Sequence, residues 1–232
     1  MLHALFQSKL IKRVFSALIL IPCVFLIVFM GAWPLLCLVG AAFVMTLYEW
    51  ISLAKRCPHF VIIAMTGFLY FTICYVSFLM LRFTFDEGVY LIVMLFLAIW
   101  GSDSLAYGFG KIFGGPKLLP RISPNKTWIG ALGAVVGAAG AITCLMLLQP
   151  ILSALLKQEI PHVFDSWLVG TGVGVLIGIF GQVGDMMISS VKRLAGAKDT
   201  GDLIPGHGGL LDRIDSLLLA TPVFLLVIMW GA

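Results

Sequence analysis

The chain has 232 residues, of which 61% are hydrophobic and only 11% are charged, and its mean hydropathy is +1.09. This composition excludes an ordinary soluble domain. The net charge of +4 comes from basic residues that form no stripe with interleaved aromatic side chains, and the five cysteines are scattered, so we expect no nucleic-acid binding, disulfide framework or zinc site.

Long uncharged runs predict an all-α, polytopic membrane protein with about seven transmembrane helices. A helix needs roughly 20 apolar residues to cross about 30 Å of hydrocarbon. No A-x-A-like cleavage site follows the first run, so we interpret it as a retained anchor and not as a signal peptide. We treat 1–232 as a single membrane domain, in which 1–87 form a scaffold and 88–232 carry nearly all the polar signal. The predicted spans are residues 14–31, 34–54, 61–81, 88–109, 128–149, 167–188 and 215–231.

The basic residues predict the orientation, because loops rich in lysine and arginine stay in the cytoplasm. With these spans, 13 of the 15 lysine and arginine residues fall on one side, and only Arg82 and Lys157 fall on the other. The sequence therefore predicts a cytoplasmic N-terminus and two cytoplasmic polar loops, 110–127 and 189–214.

Three acidic residues lie within or at the ends of the apolar runs: Glu49, Asp103 and Asp185. A charge at the bilayer centre costs about 2.5–3.5 kcal/mol on insertion scales, so such residues usually face a cavity, a cation or a partner. We favour a structural role for Glu49, because Lys55 or Arg56 could neutralise it near the cytoplasmic interface. Asp103 stays open between a functional role and interhelical packing, whereas the position of Asp185 beside the polar loop favours function.

Two more acids stand where the last apolar helix begins. Asp212 and Asp215 are three residues apart, so they lie on one helical face. Together with Asp185 they could form an oxygen-rich site for Mg²⁺, which is typically bound by one or two carboxylates and substrate phosphates. The alternative is that Asp212 and Asp215 only cap the helix. We favour metal binding, because capping needs a single acid.

Basic residues and glycines surround these acids in the loop 189–214. Such mixtures suit phosphoryl and nucleotidyl transfer, which need positioning and charge neutralisation. The run 204–209 could turn backbone N–H groups towards an anion, although for its glycines alone a plain turn is the favoured interpretation. The loop 110–127 offers Ser123, Lys126 and Thr127 before a helix, and its three prolines keep it from being helical itself. The basic candidates of the loop 189–214 are Lys192, Arg193, Lys198, His207 and Arg213.

The segment 189–215 reads S-x-V-K-R-x4-K-D-x-G-x2-I-P-x-H-G-G-x2-D-R-x-D, which resembles the signature of the phosphatidate cytidylyltransferase (CDP-diacylglycerol synthase) family. The segments 102–114 and 123–128 resemble other recurring stretches of that family. The resemblance implies a membrane enzyme of phospholipid biosynthesis that converts CTP and phosphatidic acid to CDP-diacylglycerol and pyrophosphate, with 88–232 as its catalytic half. It also implies Mg²⁺, a monovalent cation such as K⁺, and a bacterial inner membrane with the active site facing the cytoplasm, and it allows a homodimer.

Carried onto this sequence, the resemblance assigns roles to particular residues. The implied catalytic residues are Asp185, Lys192, Asp212 and Arg213. The implied metal ligands are Asp185 and Asp212 first, followed by Asp215 and Asp103. The implied substrate contacts are Ser123, Lys126, Lys192, Arg193, Lys198, His207 and Arg213.

The chain departs from the family's pattern in two places. Ile129 stands where the family often has a polar or acidic residue, and the region before the catalytic half is shorter than expected. Two other classes of protein could share some of these features. A transporter or channel would explain the intramembrane acids, but not the dense charges of 189–215. A CDP-alcohol phosphotransferase would need a D-G-x2-A-R pattern, which the sequence lacks.

Overall fold

The computed structural model describes residues 22–157, 159–201, 203 and 208–231. Within them the chain forms seven helices and a two-stranded hairpin. In chain order the elements are α1 (22–30), α2 (Ala32–Ala54), α3 (Phe60–Phe83), α4 (Gly88–Phe113), β1 (Lys117–Leu119), β2 (Ser123–Thr127), α5 (Trp128–Leu156), α6 (Trp167–Leu194) and α7 (Leu211–Gly231).

The helices confirm the predicted fold class, an all-α polytopic membrane protein. Helices α2 to α7 are all long and apolar enough to cross a membrane, and each covers one of the last six predicted spans. Helix α1 covers the described part of the first predicted span, 14–31. Residues 14–21 of that span, and the N-terminus whose cytoplasmic side was predicted, lie outside the described residues.

The described residues form two compact units. The first unit comprises the described parts of Met1–Thr72 and Val191–Arg213, and the second comprises Ile73–Ser190 and the described part of Ile214–Ala232. Helices α6 and α7 each contribute residues to both units, because the unit boundaries fall inside them. The polar segment predicted to carry the chemistry therefore supplies side chains to both units.

In the first unit, α2 packs tightly on α3 around a buried tryptophan. The indole N–H of Trp50 donates to the carbonyl of Ile63 at 2.8 Å, and its ring meets Phe71 edge to face with centroids 5.3 Å apart. A Cβ atom at Gly67 would overlap the indole. The glycine thus lets the large side chain lie against the helix backbone, and this packing fixes the C-terminal half of α2, where Glu49 also lies.

In the second unit, the glycines of α6 allow its backbone to approach two neighbouring helices. A Cβ atom at Gly178 would lie 2.8 Å from the Cα atom of Val135 in α5. A Cβ atom at Gly184 would lie 2.7 Å from the carbonyl oxygen of Asp215 in α7. Both distances are shorter than real Cβ contacts, so the glycines of α6 allow close helix packing.

The predicted polar loop 110–127 is shorter than expected and partly ordered as a hairpin. Helix α4 continues to Phe113, and β1 then pairs antiparallel with β2, with Lys117 opposite Thr127. The hydroxyl of Thr127 accepts the N–H of Gly130 at 3.0 Å, which caps the start of α5. The second predicted loop is also shorter, because α6 runs to Leu194 and α7 begins at Leu211.

Candidate active site

A polar cavity lies among the apolar helices of the second unit. Its volume is about 440 Å³, and α4, β2, α5 and α6 contribute to its wall. The walls carry two carboxylates and two ammonium groups, which apolar helices do not need for packing. The polar and charged side chains that line it include Asp103, Lys111, Asn125, Lys126, Gln182 and Asp185.

The Asp185 carboxylate on α6 has two polar partners, Lys126 from β2 and Ser189 from α6. The Nζ atom of Lys126 lies 2.6 Å from Oδ2 of Asp185 and also donates to Oε1 of Gln182 at 3.0 Å. The hydroxyl of Ser189 donates to Oδ1 of Asp185 at 3.1 Å. Residues 182, 185 and 189 are spaced by three and four positions, so they share one face of α6. That face positions both the carboxylate and the lysine that pairs with it.

Asp103 and Lys111, the other charged side chains of the cavity, are more exposed than Lys126 and Asp185. Asp103 lies on α4 and is exposed, and Lys111 lies two turns further along the same helix, with its ammonium 5.5 Å from the ring centroid of Tyr107. The side chains of Lys126 and Asp185 are 22% and 24% exposed. The charged side chains of the cavity are therefore accessible to a ligand, in contrast to the side chains of Lys192 and Asp212 in the first unit, which are buried.

The first unit contains a buried group of three ionisable side chains and one hydroxyl, which we name the Glu49 cluster: Glu49, Lys192, Asp212 and Thr200. Nζ of Lys192 lies 2.7 Å from Oδ1 of Asp212, and the two side chains are only 9% and 8% exposed. Oδ2 of Asp212 accepts the backbone N–H of Thr200 at 2.8 Å, the Thr200 hydroxyl at 3.0 Å and the N–H of Gly209 at 3.3 Å. These donors precede α7, so the hydrogen bonds of Asp212 do not cap that helix.

Glu49 joins this cluster from α2, which the sequence did not reveal. The side chain is 1% exposed and accepts three hydrogen bonds: from the N–H of Leu210 at 2.8 Å, from the N–H of Leu211 at 2.9 Å and from the Thr200 hydroxyl at 2.9 Å. Among the described residues it forms no ion pair, so the expected neutralisation by Lys55 or Arg56 was wrong. The acid in an apolar run was a visible signal, but its partners are mainly backbone amides about 160 residues further along the chain.

The remaining candidates lie in several surroundings. Oδ1 of Asp215 accepts the N–H of Ser216 at 2.8 Å, and Arg193 donates to the carbonyl of Ala197 at 3.1 Å. Lys198 and Arg213 are exposed, Ser123 lies half-buried in β2, and His207 lies outside the described residues.

The predicted metal ligands are divided between the two units. Asp103 and Asp185 line one cavity of the second unit, whereas Asp212 belongs to the Glu49 cluster of the first. In the part of the chain that the structure describes, no group of three or more His, Cys, Asp or Glu side chains is placed to hold a metal ion. The predicted set of metal ligands stays a prediction.

The fold and the cavity define a polytopic membrane protein with an ionisable pocket among its helices. The chain belongs to the cytidylyltransferase family, whose sequence profile matches residues 11–84 and 58–230. It is 45% identical over 139 residues to a phosphatidate cytidylyltransferase of Brucella melitensis, covering 60% of this chain and 47% of that protein. It is 36% identical over 148 residues to a phosphatidate cytidylyltransferase of Staphylococcus saprophyticus, covering 64% and 52%. The chain spans about half the length of these curated relatives.

Proposed function

We propose that the chain transfers a cytidylyl group from CTP to phosphatidic acid, releasing pyrophosphate and giving CDP-diacylglycerol. The observation that carries the proposal is the cavity of the second unit, where Asp103, Lys126 and Asp185 meet in the part of the chain that matches the family. The relatives named above are phosphatidate cytidylyltransferases, and that name describes the proposed reaction.

The reaction needs little covalent help from the protein. A non-bridging oxygen of the lipid phosphate attacks the α-phosphorus of CTP, and the bond from that phosphorus to the oxygen bridging to the β-phosphate breaks, so pyrophosphate leaves. A phosphomonoester is already an anion near pH 7, so no strong base is required. The catalytic task is to align the lipid phosphate with the triphosphate of CTP and to neutralise their charge.

The cavity offers groups suited to that task. Lys126 is held between Asp185 and Gln182, and its partial exposure leaves the ammonium able to meet a phosphate oxygen. Lys111 adds a second ammonium at the same cavity. The proposal keeps Ser123, Lys192, Arg193, Lys198, His207 and Arg213 as candidate contacts to the triphosphate or the lipid phosphate.

The donor set of the cavity fits a divalent cation. Two carboxylates and two ammonium groups cancel, so a triphosphate in the cavity would still carry uncompensated negative charge. Mg²⁺ is usually bound through one or two carboxylates together with substrate phosphates, and Asp103 and Asp185 supply two carboxylates here. Bound there, Mg²⁺ would supply neutralisation of the phosphate charge. Asp212, Asp215 and a monovalent cation such as K⁺ remain part of the proposal from the resemblance.

We also propose a bacterial inner membrane, with the cavity open to the cytoplasm. The relatives are bacterial, and 13 of the 15 lysine and arginine residues fall on the side predicted to be cytoplasmic. Lys111 and Lys126, which line the cavity, belong to that majority. This orientation would give the site access to cytoplasmic CTP, while phosphatidic acid would enter from the bilayer.

The proposal is tested by measuring pyrophosphate release from CTP by the purified chain in detergent, with and without phosphatidic acid and Mg²⁺. Release should require both additions. Asp185→Asn and Lys126→Met should each lower kcat by about 10²–10³-fold, because each removes a charge that meets the phosphates or holds the group that does. Asp86→Asn is the matched control, since Asp86 is exposed in the connection between α3 and α4.

Size-exclusion profiles identify variants that have lost their fold. Absence of release from a well-folded wild-type chain, across several added lipids, would exclude the proposed reaction. Full activity of Asp185→Asn and Lys126→Met would instead move the site away from this cavity. Ion flux through reconstituted vesicles, in the absence of any transfer, would favour the transport alternative.

A further inference from the structure

We propose that Glu49 is a positioning residue for the proposed transfer reaction: it holds the start of α7 and, through the Thr200 hydroxyl, orients the carboxylate of Asp212. The inference rests on the proposed function, in which Asp212 is a candidate metal ligand and catalytic residue. Glu49 would not touch the substrate itself. The signature segment 189–215 does not indicate this role, because Glu49 lies about 140 residues before the segment begins.

The surroundings of Glu49 indicate a specific role in holding the chain. A buried carboxylate is costly unless hydrogen bonds or a cation compensate it. Glu49 is 1% exposed and is compensated by two backbone N–H groups and one hydroxyl. The two N–H groups belong to Leu210 and Leu211, where α7 begins, and such groups favour negative charge. Glu49 therefore fastens the start of α7 to α2.

The Thr200 hydroxyl connects Glu49 to Asp212. Its oxygen lies 2.9 Å from Oε2 of Glu49 and 3.0 Å from Oδ2 of Asp212. A hydroxyl carries one hydrogen, so it donates to only one of the two carboxylates at a time. The two acids thus share a single donor, and a change in one acid alters the hydrogen bonding of the other. This coupling is the physical route from Glu49 to Asp212.

The hydrogen-bond partners of Asp212 include one residue, Thr200, that Glu49 also contacts. The Oδ2 atom of Asp212 accepts hydrogen bonds from the N–H groups of Thr200 and Gly209, and its Oδ1 atom pairs with Lys192. A Cβ atom at Gly209 would lie 2.6 Å from Oε2 of Glu49 and would overlap the Thr200 hydroxyl. Position 209 therefore leaves room for the Glu49 carboxylate, which is a reason for a glycine there that is independent of phosphate binding.

The experiment compares kcat, the KM for CTP and the thermal midpoint of five purified variants with those of the wild-type chain. Glu49→Gln keeps the side-chain shape but replaces one accepting oxygen with an NH₂ group, which cannot accept an N–H. It should lower kcat by about 10–100-fold, as is typical when a group that orients a metal ligand is changed, without raising the KM for CTP. Glu87→Gln is the matched control, because Glu87 makes no capping hydrogen bond at the start of α4.

Thr200→Val and Thr200→Ser test the bridge with Glu49 intact. Valine removes the hydroxyl at nearly constant shape and should lower kcat like Glu49→Gln, whereas serine restores the hydroxyl and should restore kcat. The double variant Glu49→Gln with Thr200→Val should be no slower than the slower single variant, because both changes break one chain of hydrogen bonds.

The outcomes separate this inference from the proposed function. An active wild type with unchanged kcat in Glu49→Gln, or additive losses in the double variant, overturns the inference and leaves the reaction in place. A lowered thermal midpoint with normal kcat gives Glu49 a purely structural role and also overturns it. If Glu49→Gln fails to fold, equal kcat of Thr200→Val and Thr200→Ser overturns the bridge. An inactive wild type overturns both proposals.

Discussion

Among the described residues, two lysines pair with aspartates, and their surroundings give the two pairs different roles. Lys192 and Asp212 are 9% and 8% exposed, whereas Lys126 and Asp185 are 22% and 24% exposed. Removing one partner of a buried pair leaves an uncompensated charge, but an exposed pair is screened and contributes little. The first pair should therefore matter for stability, and the second mainly for ligand binding.

We expect Lys192→Met to lower the free energy of unfolding by about 3–5 kcal/mol, because the Asp212 carboxylate stays buried without its ammonium partner. Lys126→Met should lower it by at most about 1 kcal/mol. Denaturant unfolding in mixed micelles measures both values. The double variant Lys192→Met with Asp212→Asn should recover part of the loss, since it removes the unpaired charge. Equal losses of unfolding free energy in Lys192→Met and Lys126→Met would contradict the different roles assigned to the two ion pairs.

At the scale of the helices, two glycines of α5 allow a matched test of close packing. A Cβ atom at Gly137 would overlap the carbonyl oxygen of Gly101 in α4 and would lie 3.0 Å from the backbone N atom of Ser102. At Gly140, one turn further along α5, nothing lies within 4 Å. Both positions sit in the same helix, so an alanine at each changes helix propensity equally and packing unequally.

Gly137→Ala should lower the free energy of unfolding by about 1–3 kcal/mol, because rigid backbone atoms of α4 occupy the place of the new methyl group. Gly140→Ala should leave it unchanged or raise it by up to about 1 kcal/mol, since alanine is the better helix former. Thermal unfolding followed by the helical circular dichroism signal measures the pair. A gain in stability for both variants would mean that α4 can move away from α5.

The helices themselves could be predicted from the sequence, because a membrane span needs a long apolar run and six such runs became α2 to α7. Their ends could not: α6 continues past its apolar run to Leu194, since backbone hydrogen bonds persist through polar residues. Asp103 and Asp185 were identified as candidates by their charge in an apolar run, and they line the cavity. The partners expected for Glu49 were wrong, because two of its actual partners are backbone amides, which no residue type marks.

At the scale of the whole molecule, the distribution of charge predicts how the protein lies in its membrane. Exposed Lys198 belongs to the connection between α6 and α7, and exposed Lys157 ends α5 at the start of the connection to α6. Helix α6 is long and apolar enough to span the bilayer, so the two connections that it joins should lie on opposite sides. Most of the lysine and arginine residues fall on the same side as Lys198, which predicts that this side faces the cytoplasm.

Single cysteines report this orientation directly. We expect Lys157→Cys, in a chain whose native cysteines are replaced by serine or alanine, to react with a membrane-impermeant maleimide added to intact bacterial spheroplasts. Lys198→Cys should react only after the membrane is opened, because the inner membrane separates it from the reagent. Labelling of both sites before lysis would place the two connections on one side and contradict the span formed by α6. Labelling of Lys198→Cys alone would reverse the orientation and place the cavity where CTP is absent, so this outcome would also count against the proposed reaction.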